Sequence, residues 1–307
     1  MNLIKIIKTI NRSVFGCEWG QELVKSSQIE AANPLQGLKY ISQQTTACSE
    51  LDDAAPIFVL SAGWRSGSTL VQRMLSTNKD LMMWGEPYHR SNLIEGLMAQ
   101  VAPLSDAWPP KDYFADSFDG DLSEQWTANC WPSLEDLRGA HQQYWLSLFA
   151  EPAEKLNYKH WGVKEVRWGE EHIEYLRWLF PKAKFLLLCR NPFDAYASFY
   201  GYPRAAFLKW PEQPILNAQH YGKMWTKKVS EFQIQAKNEN TLFIRYEDLK
   251  TDETYKKLTE FLSFFISHPA TLSQISSTNN DTGKYIPKID RWLIDREVKT
   301  IAAKYGY

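Results

Sequence analysis

Short apolar runs separated by longer amphipathic stretches dominate the middle of the chain. Pro56 to Ser61 is one such run, Lys184 to Cys189 is the clearest, and Thr241 to Arg245 is another, with shorter candidates at Leu81–Trp84 and His160–Val166. Runs this brief and this continuous read as strands covered on both faces. Between them the period changes. Leu70, Val71, Met74 and Leu75 fall on one helical face, and Glu170 to Phe180 keeps a helical pattern until Pro181 stops it. Strands alternating with helices in this way predict an α/β fold with a central parallel sheet flanked by helices.

Two regions stand outside the alternation. Residues 1–55 read as a helical extension with loop composition from Ser42 to Ala55. At its start Ile4, Ile7, Ile10 and Val14 recur at helical spacing, while Lys5 and Lys8 interrupt the apolar run that a signal peptide needs. That amphipathic face suits packing on the body or on a partner chain, so a homodimer stays open beside contact with a membrane surface. Residues 100–155 form an aromatic-rich insertion carrying Trp108, Trp126, Trp131 and Trp145. It reads either as an acceptor pocket or lid, or as a satellite core beneath a long loop. No linker or internal repeat divides the chain, so residues 1–307 are expected to form one domain.

Composition narrows the function classes. A net charge of −1 argues against a nucleic-acid binder, which needs a basic face. Cys17, Cys48, Cys130 and Cys189 lie far apart without metal-ligand spacing, so neither structural zinc nor a disulfide framework is expected. Cys189, inside an apolar run, reads as a buried free thiol in a cytoplasmic, reducing setting. No apolar run reaches the length of a transmembrane helix.

The chemistry begins after the first apolar run. A loop between a buried strand and a helix start gathers backbone N–H groups and the positive helix end, which suits an anion. Gly63 and Gly67 permit the tight turn, and Ser68 and Thr69 add hydroxyl donors. The kinase signature GxxxxGK[ST] is missing, because no Lys precedes Ser68. The strand Lys184–Cys189 runs into Arg190, with no carboxylate at its end to hold Mg. Phosphate binding by positive side chains, with no metal, is the expectation.

Three motifs, in order and each in its strand context, resemble those of sulfotransferases that use PAPS (3′-phosphoadenosine 5′-phosphosulfate), particularly the carbohydrate and bacterial branches. Trp64-Arg65-Ser66-Gly67-Ser68-Thr69-Leu70 resembles the family's 5′-phosphosulfate loop. Arg190-Asn191-Pro192-Phe193-Asp194-Ala195-Tyr196-Ala197-Ser198 resembles its 3′-phosphate motif, and Tyr246-Glu247-Asp248-Leu249 is similar to its YEDL. With weaker similarities the likeness spans roughly residues 56 to 290. It implies a P-loop-type fold, PAPS as donor and PAP as product.

By that resemblance, residues 65 to 70 and Tyr246 line the nucleotide, and Arg190 and Ser198 grip its 3′-phosphate. Arg65 stands where many members have Lys, and either cation offsets charge on the bridging oxygen. A surface ion pair is the bland alternative for Arg190. Gly85-Glu86-Pro87 resembles a Glu-Pro segment of the carbohydrate branch, making Glu86 the candidate base, with His89 next and a structural carboxylate as the alternative. Lys164 neutralises the sulfuryl group or pairs with Glu165 or Glu86. Ser277 and Lys284 fall in a stretch similar to a closing loop, although the RKG tripeptide of the cytosolic branch is missing.

The implied acceptor is a small natural product or a saccharide, taken at a hydroxyl or an amine. Between Asp106 and Asp136 eight acids face Lys111 alone, which favours a neutral or cationic acceptor, with a solvated acidic loop as the alternative. Two other readings remain. One is a P-loop kinase for a small molecule; the other is an inactive protein that binds PAP.

Overall fold

The apolar runs all become strands in the computed structural model, which describes residues 33–45, 50–87, 93–118, 120–124, 127–200, 215–272 and 286–307. They are β1 (Ile57–Ser61), β2 (Leu81–Trp84), β3 (His160–Glu165), β4 (Lys184–Cys189) and β5 (Thr241–Arg245). The sheet order is β2-β3-β1-β4-β5, and each pairing is parallel. Helices α1 (Pro34–Gln44), α2 (Ser68–Leu75), α3 (Leu93–Val101), α4 (Leu134–Trp145) and α5 (Glu151–Lys155) belong to the first half. The second half adds α6 (Glu170–Leu179), α7 (Pro192–Tyr200), α8 (Ala218–Gln235), α9 (Asp252–Leu262) and α10 (Lys288–Ala302).

Alternation along the two central strands builds two cores. Ile57 and Val59 of β1, with Leu186 and Leu188 of β4, face α2 and α9. Phe58 and Leu60, with Phe185 and Leu187, face the other way, toward α1, α3, α4, α6, α8 and α10. Phe58 touches Trp145, Trp161 and Phe185, and its ring is fully buried. Burial of one such ring contributes about 2–3 kcal/mol. The connection from β1 through α2 covers one face, while those from β3 through α6 and from β4 through α7 cover the opposite one. Chains leaving β1 and β4 therefore part at the carboxyl edge of the sheet, which opens a crevice there.

The flanking regions came out less evenly. Helix α1 runs to Gln44, so Ser42 to Gln44 complete a helical turn where loop was expected. The amphipathic stretch Ile4–Val14 lies outside the described residues, as do Cys17, Cys48 and Trp126. Cys130 and Cys189 are free thiols, and burial pushes the Cys189 thiol up to about 12.

The insertion divides in two. Its second half is helical: Ser133 caps α4 through Asp136 in a reciprocal box, and a π-helical turn at Leu146–Ala150 joins α4 to α5. Trp145 at the end of α4 is fully buried in the main core. The first half forms short 3₁₀ turns, tied by Ala115 N donating to Trp131 O and Trp131 N to Tyr113 O. Those turns share a hollow with Tyr40 and Gln44 of α1 and Glu135 of α4. Arg138 and Gln142 of α4 donate to Asp52 and to the Leu179 carbonyl, groups that precede β1 and β4. The turns and the start of α4 therefore lie toward the amino edge of the sheet, whereas the π-helical turn reaches the carboxyl end of β2, where Trp84 Nε1 donates to the Phe149 carbonyl at 3.0 Å. Trp145 fills core, as the second of the two sequence readings allowed: it draws α4 in, and Arg138 is buried against Asp52.

His141 of α4 carries a consequence for pH. Its Nδ1 lies 2.9 Å from the Tyr175 hydroxyl, and burial holds the imidazole below its ordinary value of 6.5. As pH falls through that value, the unfolded chain takes up a proton that the folded chain refuses, so stability declines below it. Denaturant unfolding of wild type and His141→Phe between pH 7.5 and 5 should show a steeper loss for wild type. Parallel slopes would remove His141 as the cause.

Candidate active site

Three left-handed residues shape the loop between β1 and α2. Gly63 has φ of 90°, Arg65 of 65° and Gly67 of 92°, with Trp64 and Ser66 between them in ordinary conformations. Alternation of this kind turns successive N–H groups toward one concavity, the geometry of an anion nest. Gly67 is also the N-cap of α2, so the positive helix end opens onto the same loop. Helix geometry leaves the first-turn N–H groups of Ser68 and Thr69 without intrahelical acceptors. Leu70 N instead closes on Gly67 O at 2.9 Å, and its side chain packs on the core beside α2. The Ser66 hydroxyl turns inward to Gly63 O at 2.9 Å, so its side chain staples the loop.

Residues from distant motifs converge on this loop. Arg190, at the carboxyl end of β4, donates from Nη1 to the carbonyl of Arg65 at 2.9 Å. Arg65 donates from Nε to Ser198 Oγ on α7, also at 2.9 Å. The Tyr246 ring lies under the Arg190 guanidinium, 4.4 Å from centroid to Cζ, a cation–π geometry. The same ring closes on Gly67, where an added Cβ would stand 2.2 Å from Tyr246 Cδ2. Arg65, Gly67, Arg190, Ser198 and Tyr246 are thus brought together as expected from the sequence. Arg190 is no surface ion pair: its Nε is buried and has no hydrogen-bond partner among the described residues.

A second pair lies along β2 and β3. Lys164 donates from Nζ to Glu86 Oε1 at 2.6 Å, with Lys164 almost fully buried and Glu86 about one quarter exposed. Lys164 is in register with Val59, on the face of the sheet that carries α2. Of the two partners offered for Lys164, Glu86 is the one it takes. Glu165 instead pairs with Arg167 and accepts from the amides of Val166 and Arg167. Burial would lower the Arg167 guanidinium, but Glu165, Glu86 and Glu95 together raise it. His89, Ser277 and Lys284 lie outside the described residues.

A family model described as the sulfotransferase family matches residues 56–264, more than half of the chain. The chain belongs to the sulfotransferase family. The match begins just before β1 and runs past α9, so it spans all five strands. Among solved structures, the chain is similar to the sulfotransferase domain of the curacin biosynthetic pathway, at 17% identity and a TM-score of 0.47, covering 83% of this chain and 98% of that one. It is also similar to the sulfotransferase domain of the Synechococcus PCC 7002 olefin synthase, at 16% identity and 0.45, covering 85% and 99%. A mouse sulfotransferase complexed with PAP matches at 12% identity and 0.42, covering 90% and 95%. No curated protein matches the sequence. No helix among the described residues of this sulfotransferase is long and apolar enough to cross a membrane.

Sequence reading missed the supports behind these side chains. Trp225 of α8 donates from Nε1 to the Arg190 carbonyl at 3.0 Å, and Glu247 accepts from Asn191 N at 2.9 Å. Glu247 was in view as part of the YEDL motif, whereas nothing local marks Trp225 as a support of Arg190. Gly67 supplies the sharpest test of the loop. Gly67→Ala places a Cβ against the Tyr246 ring and forces a left-handed alanine, which costs about 1–2 kcal/mol for the backbone alone. Lower unfolding free energy together with lost nucleotide binding is expected; unchanged behaviour in both would mean that the Tyr246–Gly67 contact does not shape the loop.

Proposed function

We propose that this sulfotransferase moves the sulfuryl group of PAPS to a hydroxyl or amine of a small-molecule or saccharide acceptor, by in-line displacement. One observation carries the donor assignment: Arg190 binds the backbone of the phosphate loop while keeping a buried Nε without a partner among the described residues. A guanidinium placed there can reach a second anionic group beyond the one held by the loop, which is what separates PAP from ADP. The alternating left-handed loop and the start of α2 supply the nest for the 5′ side. Ser198, joined to Arg65, supplies a hydroxyl on α7 for the 3′ side.

In the proposed reaction an acceptor oxygen or nitrogen bonds to sulfur as the bond between sulfur and the bridging oxygen breaks. The electron pair leaves on PAP, and the acceptor proton passes to the base. Arg65 and Lys164 face the charge that develops, and Glu86 takes the proton. The Lys164 ammonium fixes one Glu86 oxygen at 2.6 Å, which orients the carboxylate. Much of the work is positioning, by analogy with loose phosphoryl transfer.

Calorimetric titration with PAP and with ADP, with and without Mg, tests the donor site. PAP should bind more tightly than ADP without needing Mg, and Arg190→Ala should abolish the preference. Equal binding, or ADP binding that requires Mg, would favour a kinase instead. For the base, Glu86→Gln should lower kcat by about 10²-fold while PAP affinity holds. Normal turnover in that variant would move proton removal to another group.

A further inference from the structure

Arg190 is held from behind as well as from the loop. The residue after it, Asn191, donates its amide to Glu247 Oε1 at 2.9 Å and accepts from the amides of Phe193 and Asp194 at the start of α7. Glu247 therefore fixes the turn that carries Arg190 out of β4 and leads into the helix bearing Ser198. The other carboxylate oxygen of Glu247 is taken by the hydroxyl of Tyr307, which donates at 2.5 Å.

Tyr307 is itself firmly placed. Beyond α10 the chain turns through Gly306, at φ of 72°, and Tyr307 N donates to Ala302 O at 3.1 Å. Its neighbour Tyr305 accepts at its carbonyl from Arg245 Nη1 and at its hydroxyl from Gln233 Nε2. The Tyr307 ring meets Trp225 edge-on at 6.3 Å, and Trp225 is the residue that holds the Arg190 carbonyl. Three contacts thus lead from Tyr307 to the Arg190 turn: one through Glu247, one through Trp225, and one from its hydroxyl to Cys189 Sγ at 3.7 Å, just before Arg190. None of them runs through the phosphate loop.

We propose that Tyr307 and Glu247 are positioning residues that set Arg190 for the 3′-phosphate of the donor, so that a side chain far along the chain controls selectivity at the nucleotide. The inference rests on the donor-site reading above. Its signature is graded: because Arg190 also holds the Arg65 carbonyl, loosening the turn should weaken the hold on a 3′-phosphate far more than on the 5′ side, which the loop and α2 carry as well.

The experiment compares PAP with ADP, which lacks the 3′-phosphate, by calorimetry on wild type, Tyr307→Phe, Glu247→Ala, Arg190→Ala and Arg190→Ala/Tyr307→Phe. Tyr307→Phe keeps the ring packed on Trp225 and removes only the hydroxyl. It should weaken PAP about tenfold, the effect of one hydrogen bond to a charged acceptor, and leave ADP within about twofold. Glu247→Ala should show the same selectivity, and Tyr307→Phe should add nothing once Arg190 is gone. Retained PAP affinity in Tyr307→Phe, or equal losses for PAP and ADP, would overturn the proposal while leaving the donor site standing. A wild type with no preference for PAP over ADP would overturn the donor reading, and the proposal with it.

Discussion

The bond from Arg190 to the carbonyl of Arg65, 2.9 Å long, is the contact on which the functional end of the molecule depends. Arg65 sits in a left-handed conformation that a residue with a Cβ adopts only at a cost, and such conformations persist where surrounding contacts over-determine them. Arg190 pins the peptide from one side, Ser198 takes the Arg65 side chain, and Tyr246 closes over Gly67 while lying under Arg190. Each group restrains another, so the anion nest is shaped before any ligand contributes. Preorganisation of that kind lets binding energy go to orientation instead of loop ordering.

The sheet makes this contact possible. Parallel pairing of β1 with β4 sets their carboxyl ends side by side, and the chains leaving them pass to opposite faces. The loop after β1 and the turn after β4 are thereby neighbours, although more than 120 residues separate Arg65 from Arg190. A neighbouring strand, β3, brings Lys164 to Glu86 by the same logic, since Glu86 follows β2 and Lys164 lies on its partner. The proposed donor grip and the proposed base are both products of strand order.

The acidic, aromatic insertion read as a pocket or lid or as a satellite core, and within it α4 is drawn inward by Trp145 and by the buried Arg138–Asp52 pair. Composition alone cannot tell a ring that faces a ligand from one that fills a core, because both reward the same large apolar surface.

The strands were legible because a buried parallel strand needs a continuous apolar run, and here those runs are short and bounded. The convergence of the loop after β1 with Arg190, Ser198 and Tyr246 was legible because their motifs sit at strand ends, where local sequence and local geometry coincide. Tertiary structure alone decided which partner Lys164 takes, where the insertion goes, and how Arg190 is braced from Trp225, Glu247 and Tyr307. Those choices depend on contacts between residues distant in the chain. No periodicity or spacing records them, since hydrogen bonds such as Tyr307 to Glu247 exist only once the sheet has set the distances.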